Sequence, residues 1–152
     1  MFRRLWRSTI WAKDAIPIQD WKFRSMKRVW LPIIDLLYIA GGFSAARYGV
    51  PAINEFFPDG VVDAFGYSLA LFAFFALIGV SFVKLWWLEI VAKCVIFGQI
   101  ITYVTALVIL TRAGDDARGF VFVIALLATT PILIRLSIVS SEWAERRAKE
   151  GS

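Results

Sequence analysis

The sequence predicts an all-α integral membrane protein: a four-helix bundle preceded by an amphipathic helix at the membrane surface. Of its 152 residues, 59% are hydrophobic and 19% charged, with a mean hydropathy of +0.68. A domain of about 150 residues buries only about 70% of its unfolded surface, so it cannot hide this much apolar surface from water. Four apolar runs of about 20 residues can each cross a hydrocarbon core of ~30 Å, and none alternates as the strands of a membrane barrel do.

The first 28 residues form a basic segment whose apolar residues recur at helical spacing: Phe2, Leu5, Trp6, Thr9 and Ile10. Arg3, Arg4 and Arg7 point away from that stripe. We therefore predict a short amphipathic helix, ended by Pro17, whose arginines with Trp6 and Trp11 bind anionic headgroups. A solvated basic tail that only fixes topology is the alternative. A nucleic-acid-binding arm fits the interleaved aromatic residues less well.

The spans are predicted at residues 29–50, 61–83, 85–111 and 120–141, and a charged cytoplasmic tail at 142–152. The apolar stretch 64–110 is about twice the length of one span. It must therefore turn back on itself, and Lys84, beside Trp86 and Trp87, is where we place the turn. Spans two and three then form a tight helical hairpin.

Positive charge predicts the orientation of the spans. Eight Lys and Arg residues precede the first span, whereas the loop Pro51–Gly60 carries only Glu55 and Asp59. Cytoplasmic segments are rich in Lys and Arg, so both termini should be cytoplasmic. All seven tryptophans fall in segments that this topology places at the inner face, and indole prefers the headgroup boundary. We expect a multi-pass protein of the bacterial inner membrane that contacts anionic inner-leaflet headgroups.

Four ionisable residues lie inside the predicted spans: Asp35, Glu89, Lys93 and Arg135. At 1.5 Å per residue they lie about 6 to 12 Å from the inner face. Glu89 and Lys93 have the i, i+4 spacing of a helical ion pair, and Asp35 and Arg135 could join spans one and four. Buried charges are costly unless they are paired or hydrated. We interpret the four as a neutral structural network, with a site for an ion, a proton or a polar substrate as the alternative.

Small residues on span one form two i, i+4 pairs, Gly41 with Ala45 and Gly42 with Ala46. Such pairs let helix backbones approach closely. We interpret them as packing within the chain, with a self-association face as the alternative.

The chain lacks the residue types that most enzymes use. It has no histidine, a single cysteine (Cys94) inside span three, and no glycine-rich phosphate loop. Ser-His and Cys-His chemistry, zinc sites and histidine-ligated haem are therefore excluded. We predict that the protein is not an enzyme and has no cofactor, no metal site and no nucleic-acid partner.

The stretch LWWLEIVAKCVIFGQIITYVTAL, followed by RLSIVSSEW and the charged run ERRAKE, resembles small multi-spanning membrane proteins of actinobacterial phages. The residues that carry the resemblance are Trp87, Glu89, Lys93, Arg135 and Trp143. Some of those proteins are labelled holin-like. The resemblance implies a small protein of the host inner membrane, made without a cleaved signal and without catalytic residues.

Three functions follow as hypotheses. The first is a holin-like protein that oligomerises and permeabilises the membrane for lysis. The second is a structural membrane anchor, an assembly partner, or a modifier of the host envelope or of superinfection. The third is a small transporter or channel that uses Asp35, Glu89 and Lys93. Beyond the lipid, the expected partner is a second copy or another membrane protein.

Overall fold

The computed structural model describes residues 9–11, 26–112 and 119–150; the regular structure within these ranges is helical, with no β-strand. A π-helical turn, Met26–Trp30, leads into the first of the five α-helices in the described ranges: α1 (Leu31–Tyr48), α2 (Pro51–Asn54), α3 (Asp59–Ser81), α4 (Trp86–Arg112) and α5 (Gly119–Glu150). Helices α1, α3, α4 and α5 are each long and apolar enough to cross a membrane. The predicted all-helical class and four helices able to cross a membrane are therefore confirmed for the described residues, whereas the four-helix bundle stays a prediction.

The ends of the long helices differ from the predicted spans by at most two residues, with one exception. Helix α5 continues to Glu150, so residues 142–150, which were assigned to a separate tail, extend the helix. The run SEWAERRAKE contains no Gly or Pro that would end a helix, and it is rich in strong helix formers.

The chain divides into two compact units, Met1–Gln99 and Ile100–Ser152, with the boundary inside α4. In the second unit, the buried residues of α5 recur at helical spacing: Ala125, Thr129, Ile132 and Arg135. The Thr129 hydroxyl donates to the Leu126 carbonyl at 2.6 Å, which satisfies this polar group within its own helix. Helix α5 thus has one face that excludes solvent.

In the first unit, α1 and α3 pack in opposite directions with their backbones in close approach. A Cβ added at Gly42 would lie 2.5 Å from the Ala70 nitrogen and 2.8 Å from the Gly66 carbonyl oxygen. Gly66 in turn lies against the backbone of Ala46. Each helix therefore supplies a glycine and an alanine four residues apart, and the absence of side-chain bulk permits the contact.

The chain reverses between α3 and α4 at a single 3-10 turn, Val83–Leu85. The Leu85 N–H donates to the Phe82 carbonyl at 2.8 Å, and the exposed Lys84 lies in the middle of the turn. Gly79 of α3 lies close to the backbone of Glu89 on α4, because an added Cβ would stand 2.5 Å from the Glu89 nitrogen. The turn expected at Lys84 is present.

A short N-terminal strap, residues 9–11, lies against the end of α3. Thr9 forms an isolated antiparallel bridge with Phe82, and the Ile10 N–H donates to the Ser81 carbonyl at 3.0 Å. Ile10 is buried in an apolar cluster with Leu31 and Val80. The last carbonyls of a helix have no partner within it, so the strap satisfies one of them.

The strap corrects the C-terminal end of the predicted amphipathic helix. Thr9 and Ile10 were assigned to its lipid-facing stripe, yet they are not helical, and Ile10 packs on protein. The apolar cluster offers Ile10 a site that a surface helix would not reach. The rest of that predicted helix, with Arg3, Arg4, Trp6 and Arg7, lies outside the described residues.

The connection between α1 and α3 is packed. Gly49, with φ +76°, ends α1 in the region that favours glycine, and the Val50 N–H donates to Asn54 Oδ1 at 3.1 Å. Ala52 and Ile53 of the short helix α2 are buried. The predicted loop Pro51–Gly60 thus contains a helical turn.

Candidate functional site: an intramembrane charge cluster

Lys93 is the centre of a charge cluster that it forms with Glu89 and Asp35 in the first unit. Its Nζ lies 2.8 Å from Glu89 Oε1 and 3.8 Å from Asp35 Oδ1. The first contact is a charge-assisted hydrogen bond, whereas the second is an ion pair beyond hydrogen-bond length. The exposed fractions are 0% for Asp35 and 2% for both Glu89 and Lys93, so the cluster is sealed from solvent.

Helix geometry places Glu89 and Lys93 side by side on α4. They are four residues apart with the acid on the N-terminal side, which is the more favourable order for a helical ion pair. The close approach of Gly79 to the Glu89 backbone covers this face of α4 with α3. The pair is therefore local in sequence, and its burial comes from the helical hairpin.

Asp35 reaches the cluster from α1. It belongs to the buried face of that helix, four residues after Leu31 and seven before Gly42. Because Gly42 fixes this face against α3, the Asp35 carboxylate lies in the interior of the first unit. The ion pair with Lys93 thus connects α1 to α4, two helices that are not consecutive in the chain.

The cluster suits a structural role on energetic grounds. A charge deep in an apolar environment is expensive, and attraction to a partner offsets that expense only when the geometry is good. Lys93 satisfies this requirement with one carboxylate from its own helix and one from α1. Loss of Lys93 would leave two buried carboxylates without this cation, which costs about 3–5 kcal/mol.

The fourth predicted residue, Arg135, lies in the second unit. It is 9% exposed and follows Ile132 on the buried face of α5. The suggested link between Asp35 and Arg135 stays a prediction.

A polar contact that sequence reasoning missed joins the two arms of the hairpin. Gln99 Nε2 donates to Ser68 Oγ, and the Ser68 hydroxyl donates to the Phe65 carbonyl at 2.9 Å. A sequence signal for this contact exists. Ser68 lies 16 residues before Lys84 and Gln99 lies 15 residues after it, so a hairpin centred on Lys84 brings the two side chains to the same level. Gly79 and Glu89 lie five residues before and five residues after Lys84, so the same hairpin brings them together.

The two small-residue pairs of span one have different surroundings. Gly42 and Ala46 lie in the contact with α3, together with Gly66, whose role was not anticipated. Gly41 is exposed, and apart from the backbone of its own helix and its chain neighbours no atom of the described residues lies within 4 Å of the position that a Cβ would occupy; Ala45 is half-buried. Packing within the chain therefore accounts for one pair and leaves Gly41 on the outer surface.

Of the residues predicted to bind the membrane surface, Trp11 is described. Its Nε1 donates to the Arg28 carbonyl at 3.3 Å, and Arg28 Nε donates to the Ile10 carbonyl at 2.8 Å. These two bonds fasten the N-terminal strap to the beginning of the first spanning segment. The indole is 38% exposed, so it keeps a surface that faces away from the protein.

The described residues contain no group of three or more His, Cys, Asp or Glu side chains that could hold a metal ion. Four helices able to cross a membrane are typical of multi-pass membrane proteins, as are charges that are buried only where they are paired, here between α1 and α4. No family model matches the chain, and neither a curated protein nor a solved structure matches it. The assignment to a functional class within membrane proteins therefore depends on the residues themselves.

Proposed function

We propose that this chain is a multi-pass protein of the bacterial inner membrane that acts as a structural or assembly component and holds a partner in the bilayer. The observation that supports this proposal is the sealed contact of Lys93 with Glu89 and Asp35. A lysine held by carboxylates from two helices fixes those helices together, whereas a transport site must open to admit its substrate. The partner in this proposal is another membrane protein or a second copy of the chain.

The backbone contact between α1 and α3 supports the same proposal. Gly42 and Gly66 bring the two helices as close as backbones allow, so a sliding motion would meet a steric barrier. With the hairpin turn at Val83–Leu85, these contacts give the first unit a defined arrangement of α1, α3 and the start of α4. A defined arrangement is what an anchor requires.

Purification from the native host in a mild detergent tests this function. We expect a membrane partner at fixed stoichiometry, or a homo-oligomer, by size-exclusion chromatography with light scattering. The variant to compare with the wild type is Lys93→Met. It should lose the partner, because the contacts that hold α1 to α4 are broken. A wild-type protein recovered alone and monomeric would contradict the proposal.

A second candidate is the holin-like function, in which copies of the chain associate and permeabilise the host membrane for lysis. Exposed Gly41 favours it, because a helix from another copy could approach α1 closely there. Inducible expression in a bacterium with a potential-sensitive dye tests it. Sudden depolarisation followed by lysis would support this candidate, and steady growth at the same expression level would exclude it.

A further inference from the structure

One end of the first unit combines exposed tryptophans with a lysine. Trp30, Trp86 and Trp87 are 60%, 44% and 53% exposed, and Lys84 is exposed in the turn that precedes α4. The strap places the beginning of α1 beside this turn, because Ile10 is bonded both to Ser81 and to Arg28. We call Trp11, Trp30, Lys84, Trp86 and Trp87 the tryptophan end.

The opposite end of the unit has a different composition. It carries exposed Phe56 and Phe57 with the exposed acids Glu55 and Asp63, and the sequence has no tryptophan between residues 31 and 85. Helix α3 connects the two ends with 23 residues, about 34 Å at 1.5 Å per residue. That length matches a hydrocarbon core of ~30 Å, so each end lies at its own membrane interface.

The tryptophan end has the chemistry of an anionic headgroup layer. Indole rings are amphipathic and prefer the boundary between acyl chains and headgroups, while a lysine there is attracted to lipid phosphate. Several exposed indoles beside a lysine would be unfavourable in water but are well placed in that layer. The opposite end is less complementary, since exposed Glu55 and Asp63 repel anionic lipid and Arg47 is the one exposed cation there among the described residues.

We propose that the tryptophan end is a binding surface for anionic phospholipids, in which Lys84 contacts a headgroup phosphate and Trp30, Trp86 and Trp87 lie at the level of the ester groups. This inference rests on the proposed membrane location and names the lipid class that one end prefers. The turn at Val83–Leu85 serves as its centre, because it projects Lys84 between the ends of two spanning helices.

Fluorescence quenching by brominated lipids tests the surface. Trp6, Trp11, Trp21 and Trp143 are replaced by Phe in the full chain, so that the emission comes from Trp30, Trp86 and Trp87. The protein is reconstituted in vesicles of brominated phosphatidylglycerol with unlabelled phosphatidylcholine, and in vesicles with the label exchanged. We expect stronger quenching by phosphatidylglycerol, and Lys84→Gln should lower that preference about fivefold.

Arg47→Gln is the matched control, since Arg47 is an exposed cation at the far end of α1. It should leave the preference for phosphatidylglycerol unchanged. An equal loss with Arg47→Gln, or no loss with Lys84→Gln, would overturn the inference. Retention in the membrane after carbonate extraction separates the two proposals: a retained protein without lipid preference contradicts only the lipid surface, whereas an extracted protein contradicts the membrane location as well.

Discussion

Lys93 Nζ lies 3.8 Å from Asp35 Oδ1, and this ion pair connects the first and third membrane-spanning helices. The same ammonium is hydrogen-bonded to Glu89 at 2.8 Å, one turn earlier on its own helix. The hydrogen bond to Glu89 orients the lysine side chain, and the longer ion pair with Asp35 joins it to α1. The charges inside these spans therefore connect helices that are distant in the sequence.

Neutral substitutions distinguish a structural cluster from a transport site. Asp35→Asn and Glu89→Gln keep the side-chain volumes but remove the charges that face Lys93. We expect both variants to lower stability, because these charges hold α1 and α4 together. Growth and ion-flux phenotypes should stay at the wild-type level, because a structural cluster carries no ion. Proteoliposome flux assays beside detergent stability measurements check this. Loss of flux at unchanged stability would assign the three residues to transport.

Gly42 and Gly41 form a matched pair of test positions. Gly42→Leu should reduce the free energy of unfolding by at least about 1–3 kcal/mol, because the new Cβ would meet the backbone of α3. Gly41→Leu should change it by less than about 0.5 kcal/mol, since nothing lies near that position. Unfolding in mixed micelles, followed by tryptophan fluorescence, compares the two. Equal effects would contradict the contact between α1 and α3.

The contact between Ser68 and Gln99 should contribute weakly. Hydrogen bonds between membrane helices average about 0.6 kcal/mol in double-mutant cycles. We expect a coupling energy of that size between Ser68→Ala and Gln99→Leu. Thr105→Ala is a suitable comparison, because its hydroxyl bonds within its own helix to the Ile101 carbonyl, so it should show no coupling to Ser68→Ala. Zero coupling between Ser68 and Gln99 would argue against the hairpin register.

The orientation with both termini cytoplasmic predicts which loops an impermeant thiol reagent reaches from outside the cell. In a Cys94→Ala background, Glu55→Cys should be labelled in intact cells. Lys84→Cys should react only after the membrane is opened, because the eight Lys and Arg residues before the first span still retain the amino-terminal side, two spans away from that turn, in the cytoplasm. Labelling of Lys84→Cys in intact cells, with Glu55→Cys labelled only after the membrane is opened, would contradict cytoplasmic termini.

Much of the fold could be predicted from the sequence because its signals are local. Long apolar runs define the spans, and Lys84 interrupts the longest run where the chain turns. The pairing of Glu89 with Lys93 likewise follows from spacing on one helix. In each case a single stretch of chain contains all the information that the prediction needs.

Other features depend on contacts between distant segments. The sequence does not say that Gly42 meets Gly66 instead of another helix, or that Asp35 lies close to Lys93. Ile10 was predicted to face lipid because its spacing suits an amphipathic helix. The cluster of Leu31 and Val80 that buries it exists only once α1 and α3 have packed.

The central claim, that Lys93 holds α1 to α4, is tested most directly by the free energy of unfolding of three variants. Lys93→Met should cost about 3–5 kcal/mol, because it leaves two carboxylates facing each other in an apolar interior. Lys93→Met combined with Glu89→Gln removes one charge of each sign and should recover part of that loss. Lys84→Met, in the exposed turn, should cost less than about 0.5 kcal/mol. A Lys93→Met protein as stable as Lys84→Met, or a double variant no more stable than Lys93→Met alone, would contradict the claim.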